Sequence, residues 1–195
     1  MFVIEKTYIS PQSLYEDSFK LAAQIFESGF RPNYIVGVWR GGTPVGIVVQ
    51  ELLEYCGVES DHIAIRTSSY DGIGKRSDNV RVHGLGYIVD KINAEDSLLI
   101  VDDIYDSGLS VQAVLRELKA RCRKNTPNDV RVATLYYKPK NNKTDSQPDF
   151  YVHESEEWLV FPHEILGLSH DEIQENKAGL GSMMEKLREW SPAQD

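Results

Sequence analysis

The sequence predicts an α/β fold: a twisted parallel sheet flanked by helices, with a small hood. Three runs, YIVGVW at 34–39, LLIV at 98–101 and VRVATLYY at 130–137, have the nearly unbroken apolar character of strands covered on both faces. Segments with helical spacing separate them, and such alternation implies right-handed crossovers and a parallel sheet. The 195 residues, 41% hydrophobic and 26% charged, suit one soluble domain with a sizeable core.

The elements follow in order. The spacing predicts a helix over 10–28, with Ser10 as cap, Pro11 at the first position, and Leu14, Phe19, Ala22 and Phe26 turned to the core. The strand at 34–39 runs into Arg40-Gly41-Gly42-Thr43-Pro44 and a helix over 45–55. Residues 66–78 mix Gly, Ser and charge without apolar periodicity, which predicts a long loop of the kind that works as a lid. The strand at 98–101 places Asp102 and Asp103 at its carboxyl end, the edge where ligands gather in open α/β sheets. After residues 106–110 comes a helix with Val111, Val114, Leu115 and Leu118 on one face. The strand at 130–137 delivers Lys138-Pro139, and 141–148 reads as a polar linker. The whole chain is expected to be one domain, with a core over about 30–140. Its hood would come from 149–165 and the N-terminal segment, with a C-terminal helix over 169–190 and no repeats.

The most informative run is Leu98 to Ser110. Asp106-Ser107-Gly108-Leu109-Ser110 opens directly into a helix, whose first amides are free and carry partial positive charge. Gly108 allows close backbone approach, and the hydroxyls of Ser107 and Ser110 add donors, so the loop suits a phosphate dianion. Capping alone explains a serine there. It does not explain Asp102 beside Asp103 on a hydrophobic strand end, where like charges need a cation or a hydroxyl-rich ligand.

Four apolar residues, two acids and then Asp-Ser-Gly-Leu-Ser resemble the signature of the type I phosphoribosyltransferases, nearest to those acting on 6-oxopurines (hypoxanthine, guanine or xanthine). The resemblance implies that Asp102 and Asp103 hold the ribose hydroxyls of phosphoribosyl diphosphate and Mg2+, and that Asp106 to Ser110 cradles the 5-phosphate. It implies that Asp106 exchanges a proton with the imidazole nitrogen of the purine, as general acid-base catalyst. Arg40 and Gly41 match a diphosphate-binding turn in which a non-proline cis bond often joins the basic residue and the Gly. Ser69 and Tyr70 match the pair on the family's closing loop. Lys138 would contact the 6-oxo group, Trp158 would stack on the purine, and backbone groups of Leu159 would read its edge. Glu164 stands where an Asp commonly serves a second magnesium, and Leu109 replaces a common Gly or Lys.

Other classes are disfavoured. A net charge of −9 argues against a nucleic-acid partner. No run is long enough to span a bilayer and the N-terminus lacks a signal pattern, so a cytoplasmic protein is expected. Cys56 and Cys122 fall among apolar residues and are expected to be buried, reduced thiols. The five His show no metal-ligand spacing. The expected function is purine salvage, joining a 6-oxopurine to phosphoribosyl diphosphate, in a homo-oligomer (dimer or tetramer). The alternative is a non-catalytic regulator of the same fold that senses phosphoribosyl diphosphate or a nucleotide. A phosphoacceptor signalling domain also carries an acid pair at a strand end, but usually on its first strand.

Overall fold

A computed structural model describes residues 5–72 and 75–190; side chains at 69–72 and 75–79 lie outside that description. In chain order the elements are β1 (Lys6–Tyr8), α1 (Pro11–Glu27), β2 (Tyr34–Trp39), α2 (Gly42–Tyr55), β3 (Asp61–Gly72), β4 (Lys75–His83), α3 (Gly86–Val89), β5 (Ser97–Tyr105), α4 (Leu109–Cys122), β6 (Asp129–Tyr137), β7 (Phe150–Glu154), β8 (Trp158–Val160), α5 (His170–Asn176) and α6 (Met184–Trp190). The chain divides into a larger unit, 15–156, and a smaller one formed by 1–14 with 157–195.

The larger unit carries a six-stranded sheet in the order β4-β3-β2-β5-β6-β7, parallel throughout except for the antiparallel pair β3/β4. The predicted α/β class is therefore the observed one. From β2 the chain moves outward to β3, then returns to place β5 on the other side of β2 and continues to β6 and β7. The switch in direction falls between β2 and β5, and crevices at such points bind ligands. Both central strands are apolar because both faces are covered: Val36, Val38, Leu98 and Ile100 join Val111, Val114 and Leu118 of α4 in one buried cluster.

Several expectations are corrected. In α1 the buried residues are Leu14, Asp17, Ser18, Leu21, Ala22 and Ile25, whereas Phe19 is exposed. The apolar reading passed over Asp17, whose carboxylate is satisfied by Lys20 at 2.8 Å and His153 Nε2 at 2.8 Å. These partners hold the Asp17 carboxyl below the ordinary range despite its burial. Within the stretch 66–78, the described residues 66–72 and 75–78 are strand rather than loop: β3 and β4 pair from Arg66↔His83 to Gly72↔Lys75, with an irregularity between Ser69 and Asp71. Main-chain pairing satisfies this arm without the apolar alternation by which strands are recognised. Cys122 is buried but Cys56 is exposed, because it sits at the C-cap of α2, just before Gly57 at φ 82° ends the helix. Among the described residues no helix is long and apolar enough to cross a membrane.

In the smaller unit β1 pairs in parallel with β8, from Lys6↔Trp158 to Tyr8↔Val160. Val160, Leu168, Ile173 and Met184 form its core. The expected helix over 169–190 is broken into α5, a 3-10 segment (Ala178–Met183) and α6, since Gly179 and Gly181 weaken helix in its middle. Ser169 starts α5 with a full capping box to Glu172. Glu172 also accepts from Lys6 at 2.6 Å, and this pairing, foremost, holds its carboxyl down to about 2.

Candidate functional site

β5 runs four residues past the apolar stretch. Asp102, Ile104 and Tyr105 remain in register with Thr134, Tyr136 and Tyr137 of β6, so the acid pair lies within the strand rather than after it. Asp102 lines a cavity of about 270 Å³ with Ile104, Tyr105, Asp106, Ser107, Gly108, Ser110 and Val111. Its Oδ1 accepts the N–H of Asp103 at 3.0 Å, and Gly42 N–H also reaches the carboxylate. Burial, followed by the charge and side-chain hydrogen bond of Asp103, pushes the Asp102 carboxyl well above the ordinary range.

Asp103 is 8% exposed, and its carboxylate lies against the Gly41 backbone. A Cβ on Gly41 would stand 1.7 Å from Asp103 Oδ2, and one on Gly42 would stand 2.3 Å from the carbonyl oxygen of Val101. Both glycines thus let the start of α2 press against the end of β5. The peptide Trp39-Arg40 is cis, one bond earlier than the resemblance placed it, and Arg40 O accepts Thr43 N–H at 3.2 Å. Arg40 itself is exposed.

The phosphate-loop reading is carried by Gly108, which has φ 75° and is the N-cap of α4, with no side-chain cap. The first helical bond is Gln112 N–H to Gly108 O, leaving the earlier amides without helical acceptors. Ser107 Oγ accepts Leu109 N–H at 3.4 Å. The side chain of Asp106 is exposed at the cavity and takes no protein partner among the described residues.

A buttress behind this loop was missed by the sequence reading, which took 141–148 for a linker. Lys143 N–H donates to Ser107 O at 3.0 Å, and the buried Tyr105 hydroxyl meets Thr144 Oγ1 at 3.0 Å and Ser146 O at 3.2 Å. Asn142 Oδ1 holds both the N–H and the hydroxyl of Thr144 at 2.9 Å. The signal was Tyr105, a polar aromatic among strand residues that needs a partner for its hydroxyl when buried.

Lys138 follows β6, and its N–H donates to Tyr105 O at 2.9 Å. The residue is 8% exposed, and no acceptor among the described residues takes its Nζ. Its ammonium carries three donors and can donate to a ligand carbonyl.

Ser69 and Tyr70 lie on the outer part of β3, with side chains outside the described set. In the smaller unit Trp158 is 56% exposed, whereas Leu159 is buried. One oxygen of Glu164 is engaged, Oε2 accepting Phe161 N–H at 3.0 Å. Among the described residues no group of three or more His, Cys, Asp or Glu forms a metal cluster. The pair Asp102/Asp103 still fits a hard divalent cation: both donors are oxygens, and their mutual repulsion is what a cation relieves.

Comparison with known proteins agrees with this geometry. Residues 10–172 match the model of the phosphoribosyl transferase domain. Over 188 residues the chain is 26% identical to a hypoxanthine-guanine phosphoribosyltransferase of Streptococcus mutans, covering 94% of this chain and 96% of that protein. Among solved structures it resembles a purine phosphoribosyltransferase from Pyrococcus horikoshii (TM-score 0.67, 25% identity, 84% of this chain and 97% of that one). A Neisseria gonorrhoeae protein solved with bound ppGpp shares the fold at TM-score 0.71 and 20% identity, over 92% of this chain and 99% of that one.

Proposed function

The chain belongs to the phosphoribosyltransferase family, and on that premise we propose that it transfers the phosphoribosyl group of phosphoribosyl diphosphate to a 6-oxopurine. The observation that carries the choice of base is Lys138, a largely buried residue whose ammonium has no acceptor among the described residues and whose N–H is tied to Tyr105 of the phosphate-loop cavity. An ammonium donates to a 6-oxo group but meets another donor in adenine's amino group.

In this reading the amides at the start of α4, with Ser107 and Ser110, hold the 5-phosphate. Arg40 and the Gly41 turn face the diphosphate. Asp106 takes the proton from one imidazole nitrogen of the purine as the lone pair of the other bonds to C1′ and the C1′–O bond breaks, the bonding pair leaving with diphosphate. Trp158 and Leu159 contact the base. Asp102 and Asp103 would hold Mg2+, which supplies charge neutralisation for the leaving diphosphate. Glu164 retains one oxygen for a second metal contact. Diphosphate release that requires both a purine and Mg2+ tests the proposal. Binding of phosphoribosyl diphosphate without turnover on any 6-oxopurine would instead support a non-catalytic regulator.

A pH dependence follows from the acid pair. A carboxyl raised in the folded state contributes stability at low pH and loses it as pH rises through the folded value, where the ionised pair repels. Mg2+ with phosphoribosyl diphosphate binds the ionised form, so its thermal stabilisation should grow as pH rises through the raised range in which the Asp102 carboxyl ionises. Asp102→Asn should flatten that growth. Equal shifts across the range in the unaltered protein would contradict the assignment.

A further inference from the structure

The smaller unit buries one lysine that the proposed chemistry does not use. Lys177 is 7% exposed, and its Nζ donates to Phe161 O at 2.6 Å. Phe161 N–H donates in turn to Glu164 Oε2 at 3.0 Å, and its carbonyl also accepts Glu164 N–H at 3.0 Å, so Lys177 and Glu164 together hold both main-chain groups of this residue. Phe161 is itself 2% exposed and follows directly on β8, the strand that carries Trp158 and Leu159.

That strand needs external support. It has one partner, β1, along three residue pairs, with Ile9 N–H adding a bond to Val160 O. Two-stranded pairs are marginal by themselves. The remaining connections form a closed ring. Lys177 ends α5, its N–H bonding Ile173 O, and Glu172 in the first turn of α5 binds Lys6 at 2.6 Å and Tyr8 at 3.0 Å on β1. β1 is thus fixed to α5 through both Lys6 and Tyr8 and to β8 along its length.

Burying an ammonium is expensive even with the Phe161 carbonyl, the Tyr8 ring at 5.9 Å and the Glu164 charge as partners, and a Met of similar length would fill the space without that cost. The arrangement is explained by a need to fix where the main chain at 158–161 stands. We propose that Lys177 is a positioning residue for purine recognition, acting through the Phe161 carbonyl to set the register in which Trp158 and Leu159 meet the base. This rests on the functional reading above, which gives those two residues to the base. A backbone edge that reads a ring must be held to fractions of an ångström, and misplacement near 1 Å costs up to about 10²-fold.

The test compares Lys177→Met and Lys177→Arg with the unaltered protein by steady-state kinetics and by amide hydrogen exchange of the peptide covering 157–162. Lys177→Met should raise KM for the purine about tenfold, leave KM for phosphoribosyl diphosphate and kcat within about twofold, and accelerate exchange at 157–162. Lys177→Arg should restore much of both. Unchanged exchange overturns the proposal, as does a parallel rise in both KM values, which marks a general loss of structure. If the unaltered protein turns over no purine, the functional reading fails, and the exchange data alone then decide whether Lys177 holds this strand.

Discussion

Asp106→Asn is expected to lower kcat by about 10²–10⁴-fold, the usual contribution of a positioned general acid-base group. Asparagine keeps the size of the side chain and cannot accept the purine proton. Asp106 is exposed at the cavity and without a protein partner among the described residues, so the substitution breaks no internal contact. Stability and KM for phosphoribosyl diphosphate should therefore stay close to their original values. Steady-state kinetics with a thermal melt checks this, and a kcat within about threefold of the original would remove Asp106 from the chemistry.

The second large effect concerns Gly41 and Gly42, adjacent residues with different expected failures. At Gly42 an added Cβ meets main chain, 2.3 Å from Val101 O and 2.8 Å from Asp102 Cα, so α2 and β5 must separate. Gly42→Ala should cost about 1–3 kcal/mol or more as overpacking, and a chain of this size loses about 2–4 °C in Tm per kcal/mol. At Gly41 the atoms nearest the Cβ all belong to the Asp103 carboxylate, 1.7 Å from Oδ2, and a side chain turns away more easily than a strand moves. Gly41→Ala should keep a cooperative fold and lose affinity for phosphoribosyl diphosphate in the presence of Mg2+, about tenfold or more as a preorganised site is disrupted. Calorimetric binding and thermal melts separate the two. Equal loss of stability in both variants would contradict the assigned contacts.

Much of the fold was legible because its central strands are covered on both faces, which writes burial into largely apolar runs at 34–39, 98–101 and 130–137. Gly108 was legible as well, since a left-handed residue opening a helix selects glycine. What stayed hidden depends on partners distant in sequence. β5 continues through Asp102 and Asp103 because β6 pairs with it, and β3/β4 form an arm from polar residues because each pairs with the other. Neither fact leaves an apolar pattern. The buttress at 141–146 was hidden for the same reason: Asn142 and Thr144 have loop composition, and only the position of Tyr105 and Ser107 gives them a task. In the smaller unit, a lysine near the end of a polar helix reads as a solvated charge, whereas Lys177 is buried on a carbonyl.

The most direct test is to extend the diphosphate-release assay to hypoxanthine, guanine, xanthine and adenine, each with Mg2+ and saturating phosphoribosyl diphosphate. Turnover is expected with at least one 6-oxopurine, with kcat/KM for adenine lower by about 10²-fold or more, because the Lys138 ammonium would face an amino group instead of a carbonyl. A preference for adenine, or equal rates on all four bases, would contradict the roles given to Lys138 and Asp106.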